Sequence, residues 1–277
     1  MNNLTKRIVF GTLFMAIMVG CLLACRYTFA LLACVITVGM MNEFYKMTMG
    51  SRYKYSRILA MVAGLITFIV AFCSKSFPEF PSELFIIVML PLFIVMINSL
   101  YVKDKSDFGK FANVYTGILY VTLPVTFMNF LVFDAQGNYS GILLLCFFAI
   151  IWASDVGGYA FGVTIGQKWG KKLFPEVSPK KSWAGFWGGL FFAMLTSMAF
   201  YWTGLFDFPW WHCLGLAVIM NVFGVYGDLF ESQWKRCYCI KDSGNAIPGH
   251  GGFLDRFDSS LFAIPVGVIY MTIFNLL

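Results

Sequence analysis

Charge is what this sequence has least of. Only 12% of its 277 residues are Asp, Glu, Lys or Arg, against about 25% in a soluble domain. With 59% hydrophobic residues and a mean hydropathy of +0.75, an ordinary soluble fold is excluded and an integral membrane protein is expected. Zinc-ligand spacing is missing among the eight cysteines, Cys21, Cys25, Cys34, Cys73, Cys146, Cys213, Cys237 and Cys239. Six of them lie in apolar segments and read as buried, inert thiols. Linkers, low-complexity tracts and soluble insertions are missing too, and no repeat is visible, so the chain reads as one membrane domain.

What is present is a series of hydrophobic runs of 16 to 25 residues at 8–25, 27–45, 58–73, 84–101, 111–133, 141–165, 183–205, 210–230 and 259–277. About 20 apolar residues cross a bilayer. Arg26 alone separates the first two runs, but a single helix through both would be about 55 Å long at 1.5 Å per residue, too long for one crossing. The start, with Lys6-Arg7 and then Leu22-Leu23-Ala24-Cys25, looks like a signal peptide with a lipoprotein cleavage site; with eight further runs it reads as a retained helix. The expected fold is an all-α polytopic membrane protein with nine transmembrane helices and a cytoplasmic N-terminus.

The basic residues support that orientation. With the N-terminus inside, eighteen of the twenty Lys and Arg fall in cytoplasmic segments, and only Arg26 and Lys75 fall outside. Cytoplasmic loops carry such an excess, and one missed or invented span would scramble it. Residues 1–133 have short loops and read as a helical scaffold, with Glu43, at the inner end of the second run, leaning structural rather than toward a site neighbour. Residues 141–277 read as catalytic helices and cytoplasmic loops.

The reason lies in one polar block near the C-terminus. Gly227-Asp228 through Lys235-Arg236, Lys241 through Gly244, and Pro248 through Asp258 hold five of the fourteen acidic residues, four of the twenty basic ones and a glycine-rich turn. Asp228, Glu231, Ser232 and Lys235 fall at i, i+3, i+4 and i+7, one stripe of a helix. Asp255 and Asp258 repeat the i, i+3 relation. Four carboxylates facing one another across a helix pair cannot all stay ionised without cations, and Mg²⁺ takes one or two carboxylates plus phosphate oxygens. Two such ions would clamp the attacking and leaving oxygens of an in-line displacement. Ion pairing with Lys235, Arg236 and Arg256 is the structural alternative.

Two further segments join this block. Asp155 lies within the sixth run, where a carboxylate marks a functional site by default, with a buried helix–helix hydrogen bond as its alternative; Gly157, Gly158 and Gly162 beside it permit close helix approach. Residues 167–183 form a basic loop with Ser178, Lys180, Lys181 and Ser182, on the same face as the polar block once the seventh and eighth runs are counted. Gly249-His250-Gly251-Gly252 is too rich in glycine for a helix and precedes one, a pattern that suits an anion. His250 reads as a donor to phosphate rather than a base, because a phosphate monoester has its second pKa near about 6.

The pattern Ser232-x-x-Lys235-Arg236-x4-Lys241-Asp242-x-Gly244-x2-Ile247-Pro248-x-His250-Gly251-Gly252-x-x-Asp255-Arg256-x-Asp258 resembles the signature of the phosphatidate cytidylyltransferases, the CDP-diacylglycerol synthases. Ser178-Pro179-Lys180-Lys181-Ser182-Trp183 and Asp155-x-Gly157-Gly158-Tyr159 resemble other segments of that family, so the likeness is close over about 150–260. Trp234 departs from the usual aliphatic residue or Phe, and Ser182 and Ala184 stand where Thr and Glu are expected, so any role of that Glu is dispensable or filled elsewhere.

The resemblance implies transfer of CMP from CTP to phosphatidic acid with Mg²⁺, a second cation such as K⁺, a homodimer, a bacterial inner membrane and no nucleic-acid partner. On that reading Asp228, Asp255 and Asp258 hold metal, with Asp155 and Glu231 nearby. Lys180, Lys181, Lys235, Arg236, Lys241 and Arg256 neutralise the phosphates, and Ser178, Ser182, Ser232, Ser259, Gly251 and Gly252 contact substrate. CDP-alcohol phosphatidyltransferases are disfavoured, because their Asp-Gly, Ala-Arg and spaced-aspartate motif is missing. A CTP-dependent lipid-alcohol kinase is the enzymatic alternative. A transporter would place its charges near mid-bilayer in broken helices, whereas these gather at one face.

Overall fold

The computed structural model describes residues 3–50, 53–101, 105–167, 170–246 and 251–277, and these are almost entirely helical. Each of the nine hydrophobic runs falls on a helix: α1 (Asn3–Ala24), α2 (Arg26–Met49), α3 (Lys54–Ser76), α4 (Glu83–Leu100), α5 (Phe108–Val132), α6 (Ile142–Gly166), α7 (Trp183–Trp202), α8 (Trp210–Cys237) and, after a four-residue turn of helix α9 (Leu254–Phe257), α10 (Ser260–Ile273). Seven of these, α2 to α8, are long and apolar enough to cross a bilayer. The apolar part of α1, Ile8–Ala24, is shorter. The 14 residues of α10 reach about 21 Å at 1.5 Å each, less than the roughly 30 Å hydrocarbon core.

The break between α1 and α2 falls at Cys25, whose backbone is extended. Thr28 closes it: its hydroxyl accepts from the Cys25 N–H at 3.1 Å and lies 2.8 Å from the Cys21 carbonyl, to which it donates. Arg26 donates from one guanidinium nitrogen to the Ser76 carbonyl and hydroxyl. Within α5 the chain widens to a π-turn over Ile118–Thr122, just before Pro124, which lacks an N–H and crowds the carbonyl four residues back.

By contact the chain divides into two units, Met1–Gly141 with Asp242–Arg256, and Ile142–Lys241 with Phe257–Leu277. In the first, α2 packs on α1, α3 and α5 around buried Phe29, Phe44, Tyr45 and Phe68, and the Tyr45 hydroxyl donates to the Val114 carbonyl at 2.8 Å. In the second, α6 packs along α7, and α8 along α7 and α10. The glycine-lined approach expected from Gly157 is present: a Cβ there would lie 2.5 Å from the Gly188 carbonyl oxygen. Outward-facing apolar side chains such as Leu31 and Ile86, 67% and 73% exposed, suit lipid rather than water.

The expectation of an all-helical chain needs one amendment. The basic loop contains an antiparallel hairpin, β1 (Lys172–Phe174) and β2 (Ser178–Ser182), with Lys172 opposite Ser182 and Phe174 opposite Ser178. Its strands are short and charged, so neither hydrophobic periodicity nor length betrays them.

Candidate active site

The last three turns of α8 carry the expected stripe, and its members meet. Lys235 Nζ lies 2.6 Å from a Glu231 carboxylate oxygen, and the Ser232 hydroxyl donates to Asp228 at 3.3 Å. Glu231 is fully buried and the Lys235 side chain only 11% exposed, so this pair is largely desolvated. From the end of β2, Lys181 pairs with Asp228 at 2.6 Å and donates to the Val225 carbonyl at 3.3 Å. The hairpin thus delivers a lysine to the aspartate, and Arg236 ties the two elements again by donating to the Val177 carbonyl at 3.4 Å.

Asp258, in the turn between α9 and α10, joins this group in the second unit. Gly227 makes room for it: a Cβ at Gly227 would lie 2.5 Å from the Asp258 carbonyl oxygen. Dense packing around a side chain that keeps some accessible surface is the first cause raising the Asp258 carboxyl well above the ordinary carboxylate range. Repulsion from Asp228, Glu231 and Asp155 adds to the rise, and the Ser259 amide, 2.6 Å from Oδ1, opposes it. Asp155 therefore stands near enough to act on Asp258. Its neighbour Ser154 donates to Asn221 at 2.7 Å, a buried α6–α8 link not foreseen in the sequence.

Among the described residues no three His, Cys, Asp or Glu side chains converge on one point; lysines neutralise Asp228 and Glu231 instead. The donor set still fits a hard divalent cation. All four groups offer carboxylate oxygens, and the repulsion that raises Asp258 is what a cation would relieve.

Ser182 is placed where a substrate role was expected, but its hydroxyl is engaged. It caps α7, accepting from the Gly185 N–H at 3.2 Å, and is buried. Ser178 is half-buried at the start of β2, Ser259 is buried, and Lys180, Arg236, Lys241 and Arg256 are exposed. His250 lies outside the described residues.

Gly251 and Gly252 lie in the first unit, against protein carboxylates. Asp255 accepts from the Gly252 N–H at 2.8 Å and from the Ser243 N–H at 3.0 and 3.2 Å on its two oxygens. Gly251 has φ +86°, a conformation that favours glycine. Glu43, from α2, takes the Leu254 N–H at 2.9 Å and the Ser243 hydroxyl at 3.1 Å. Nothing in the sequence links Glu43 to a partner two hundred residues away.

The Cytidylyltransferase family matches residues 5–274. A protein of Bacillus subtilis (strain 168) named phosphatidate cytidylyltransferase is 34% identical over 192 residues, 69% of this chain and 68% of its own length. Proteins of the same name from Staphylococcus aureus (strain COL) and Staphylococcus haemolyticus (strain JCSC1435) are 38% and 35% identical over 174 residues. The matched stretch is 64% of the length of each, a little under two thirds.

Proposed function

Because this chain belongs to the cytidylyltransferase family, we propose that it transfers CMP from CTP to phosphatidic acid, giving CDP-diacylglycerol and pyrophosphate. The observation that carries this reading is the pairing of Lys181 with Asp228 and of Lys235 with Glu231 at the polar end of α8, with Asp258 close enough to feel the charges of Asp228, Glu231 and Asp155. Carboxylates and ammonium groups in that density suit two phosphate-bearing substrates.

A phosphate oxygen of phosphatidic acid attacks the α-phosphorus of CTP. A P–O bond forms there, the bond to the β-phosphate bridge breaks, and its electron pair leaves with pyrophosphate. The lipid phosphate, with a second pKa near about 6, needs no strong base at neutral pH. Asp228 and Asp258 would hold Mg²⁺, with Asp155 and Glu231 beside them. The ion, when bound, neutralises phosphate oxygens and sharpens the electrophile. Lys181, paired with Asp228 at 2.6 Å, would meet a phosphate bound beside that carboxylate. Lys180 and Arg236, exposed beside it, add positive charge. Positioning and electrostatics supply most of the rate in such transfers.

In the membrane the chain crosses nine times with its N-terminus in the cytoplasm, α1 and α10 completing the seven longer spans. The polar end of α8 then faces the cytosol, where CTP is, in a bacterial inner membrane, and the enzyme works as a homodimer. The distribution of eighteen of twenty basic residues supports this orientation.

The test is direct. Purified protein in detergent, given labelled CTP, phosphatidic acid and Mg²⁺, is expected to form labelled CDP-diacylglycerol and release pyrophosphate. Release of CDP with a phosphorylated lipid would instead identify a CTP-dependent lipid kinase, and no turnover of CTP would refute both.

A further inference from the structure

Glu43 sits near the end of α2 with 6% of its surface accessible. In one covalent sense it is far from the chemistry: two hundred residues separate it from Ser243. In space its carboxylate is built into the loop that carries the glycines and Asp255. One oxygen, Oε2, accepts both the Leu254 N–H at 2.9 Å and the Ser243 hydroxyl at 3.1 Å.

The loop is shaped around that carboxylate. A Cβ on Gly244 would collide with Glu43 Oε1, and a Cβ on Gly252 would collide with Oε2. One turn earlier on the same face of α2, Gly39 leaves room for the ring of Phe253; a Cβ there would lie 2.6 Å from it. Gly244 and Gly252 therefore leave the Glu43 carboxylate the space it occupies. Ser243 ties this anchor to the other carboxylate: its hydroxyl goes to Glu43 and its N–H to Asp255.

We propose that Glu43 is a positioning residue for CMP transfer, a role that rests on the function given above. Its carboxylate fixes Ser243 and Leu254, and so sets the conformation of residues 243–246 and 251–253 beside them and the start of α9. Ser243 and Gly252, on either side of the anchor, both donate to Asp255, so the placement of that carboxylate, one of those the family resemblance gives to metal, begins at Glu43. Glu43 touches neither phosphate in this account; it acts through the backbone it holds.

The conservative variant makes the proposal testable. Glu43→Gln keeps an oxygen at Oε2 to accept from Leu254 and Ser243, whereas Glu43→Ala removes both bonds. For Glu43→Ala in the full-length protein in detergent, amide hydrogen exchange should rise within 243–255 while α6, α7 and α8 keep their protection. Its kcat should fall by about 10²-fold, the scale for roughly ångström misplacement, with KM for phosphatidic acid within about twofold. Glu43→Gln should recover most of kcat.

Gly244→Ala, which presses a methyl group on the same carboxylate, is the second variant and should reproduce the loop exchange and the kcat loss if Glu43→Ala does not fold. Unchanged exchange in 243–255, unchanged kcat in both Glu43→Ala and Gly244→Ala, or activity lost only in proportion to folded protein would overturn the role. A wild-type protein that makes no CDP-diacylglycerol would refute the assigned reaction separately, and the exchange data would still decide whether Glu43 anchors the loop.

Discussion

Lys181 Nζ lies 2.6 Å from a carboxylate oxygen of Asp228, joining the end of the β-hairpin to the polar end of α8. Neither side chain is fully buried, at 23% and 33% exposure, so the pair contributes modestly to stability. Its use is electrostatic. On the proposed function, an ammonium group held beside an aspartate that would bind metal is ready to pass to a phosphate oxygen.

Replacing that ammonium group should therefore damage turnover more than folding. Lys181→Met is expected to lower kcat/KM for CTP by about 10²–10³-fold, the scale of losing one preorganised charge donor, with little change in melting temperature. Steady-state formation of CDP-diacylglycerol at varied CTP checks it.

The Glu231–Lys235 pair is a different case, because both partners are largely buried. Removing one leaves a desolvated charge. Lys235→Met is expected to cost about 3–5 kcal/mol, read by unfolding in mixed micelles. The double variant Glu231→Gln/Lys235→Met, which removes both charges, should be more stable than Lys235→Met alone.

The Asp258 carboxyl gives a pH signature with a definite sign. Its folded-state pKa is raised, so the folded protein binds the proton more tightly than the unfolded chain does, and stability falls as pH rises. The contribution is fully present below the unfolded value of about 4 and is lost as pH climbs through the raised folded value. Melting temperature in chelator should decline over that window, the decline should be smaller in Asp258→Asn, and Mg²⁺ should offset it.

Ser182 should behave as a helix cap. Ser182→Ala is expected to cost about 0.5–2 kcal/mol, with Ser182→Asp retaining most of the stability, since its carboxylate can accept from the Gly185 N–H in the same way. Thermal melts of the three proteins decide it.

The sequence carried the helices and the acidic stripe because both are local patterns. A run of about 20 apolar residues and an i, i+3, i+4, i+7 spacing can be read without knowing what lies opposite, and Asp228, Glu231, Ser232 and Lys235 meet accordingly. The glycine turn was harder. Gly251 and Gly252 read as a cradle for a bound anion, and each also lies against a protein carboxylate, Asp255 beside Gly251 and Glu43 beside Gly252. Glu43 lies on another helix, so no spacing rule reaches it. The Ser182 cap is legible as a serine directly before an apolar helix. The hairpin at 172–182 is held by short strands and by Arg236 on the Val177 carbonyl, contacts that leave no periodic trace.

One measurement bears most directly on the acidic cluster: the Mg²⁺ dependence of CDP-diacylglycerol formation by the wild-type protein and by Asp228→Asn and Asp258→Asn. Saturable activation is expected in the wild type and a loss of about 10²-fold or more in each variant, the scale of removing a preorganised electrostatic group, while both variants remain folded in detergent. Turnover close to wild type at the same Mg²⁺ concentration in either variant would contradict the metal role.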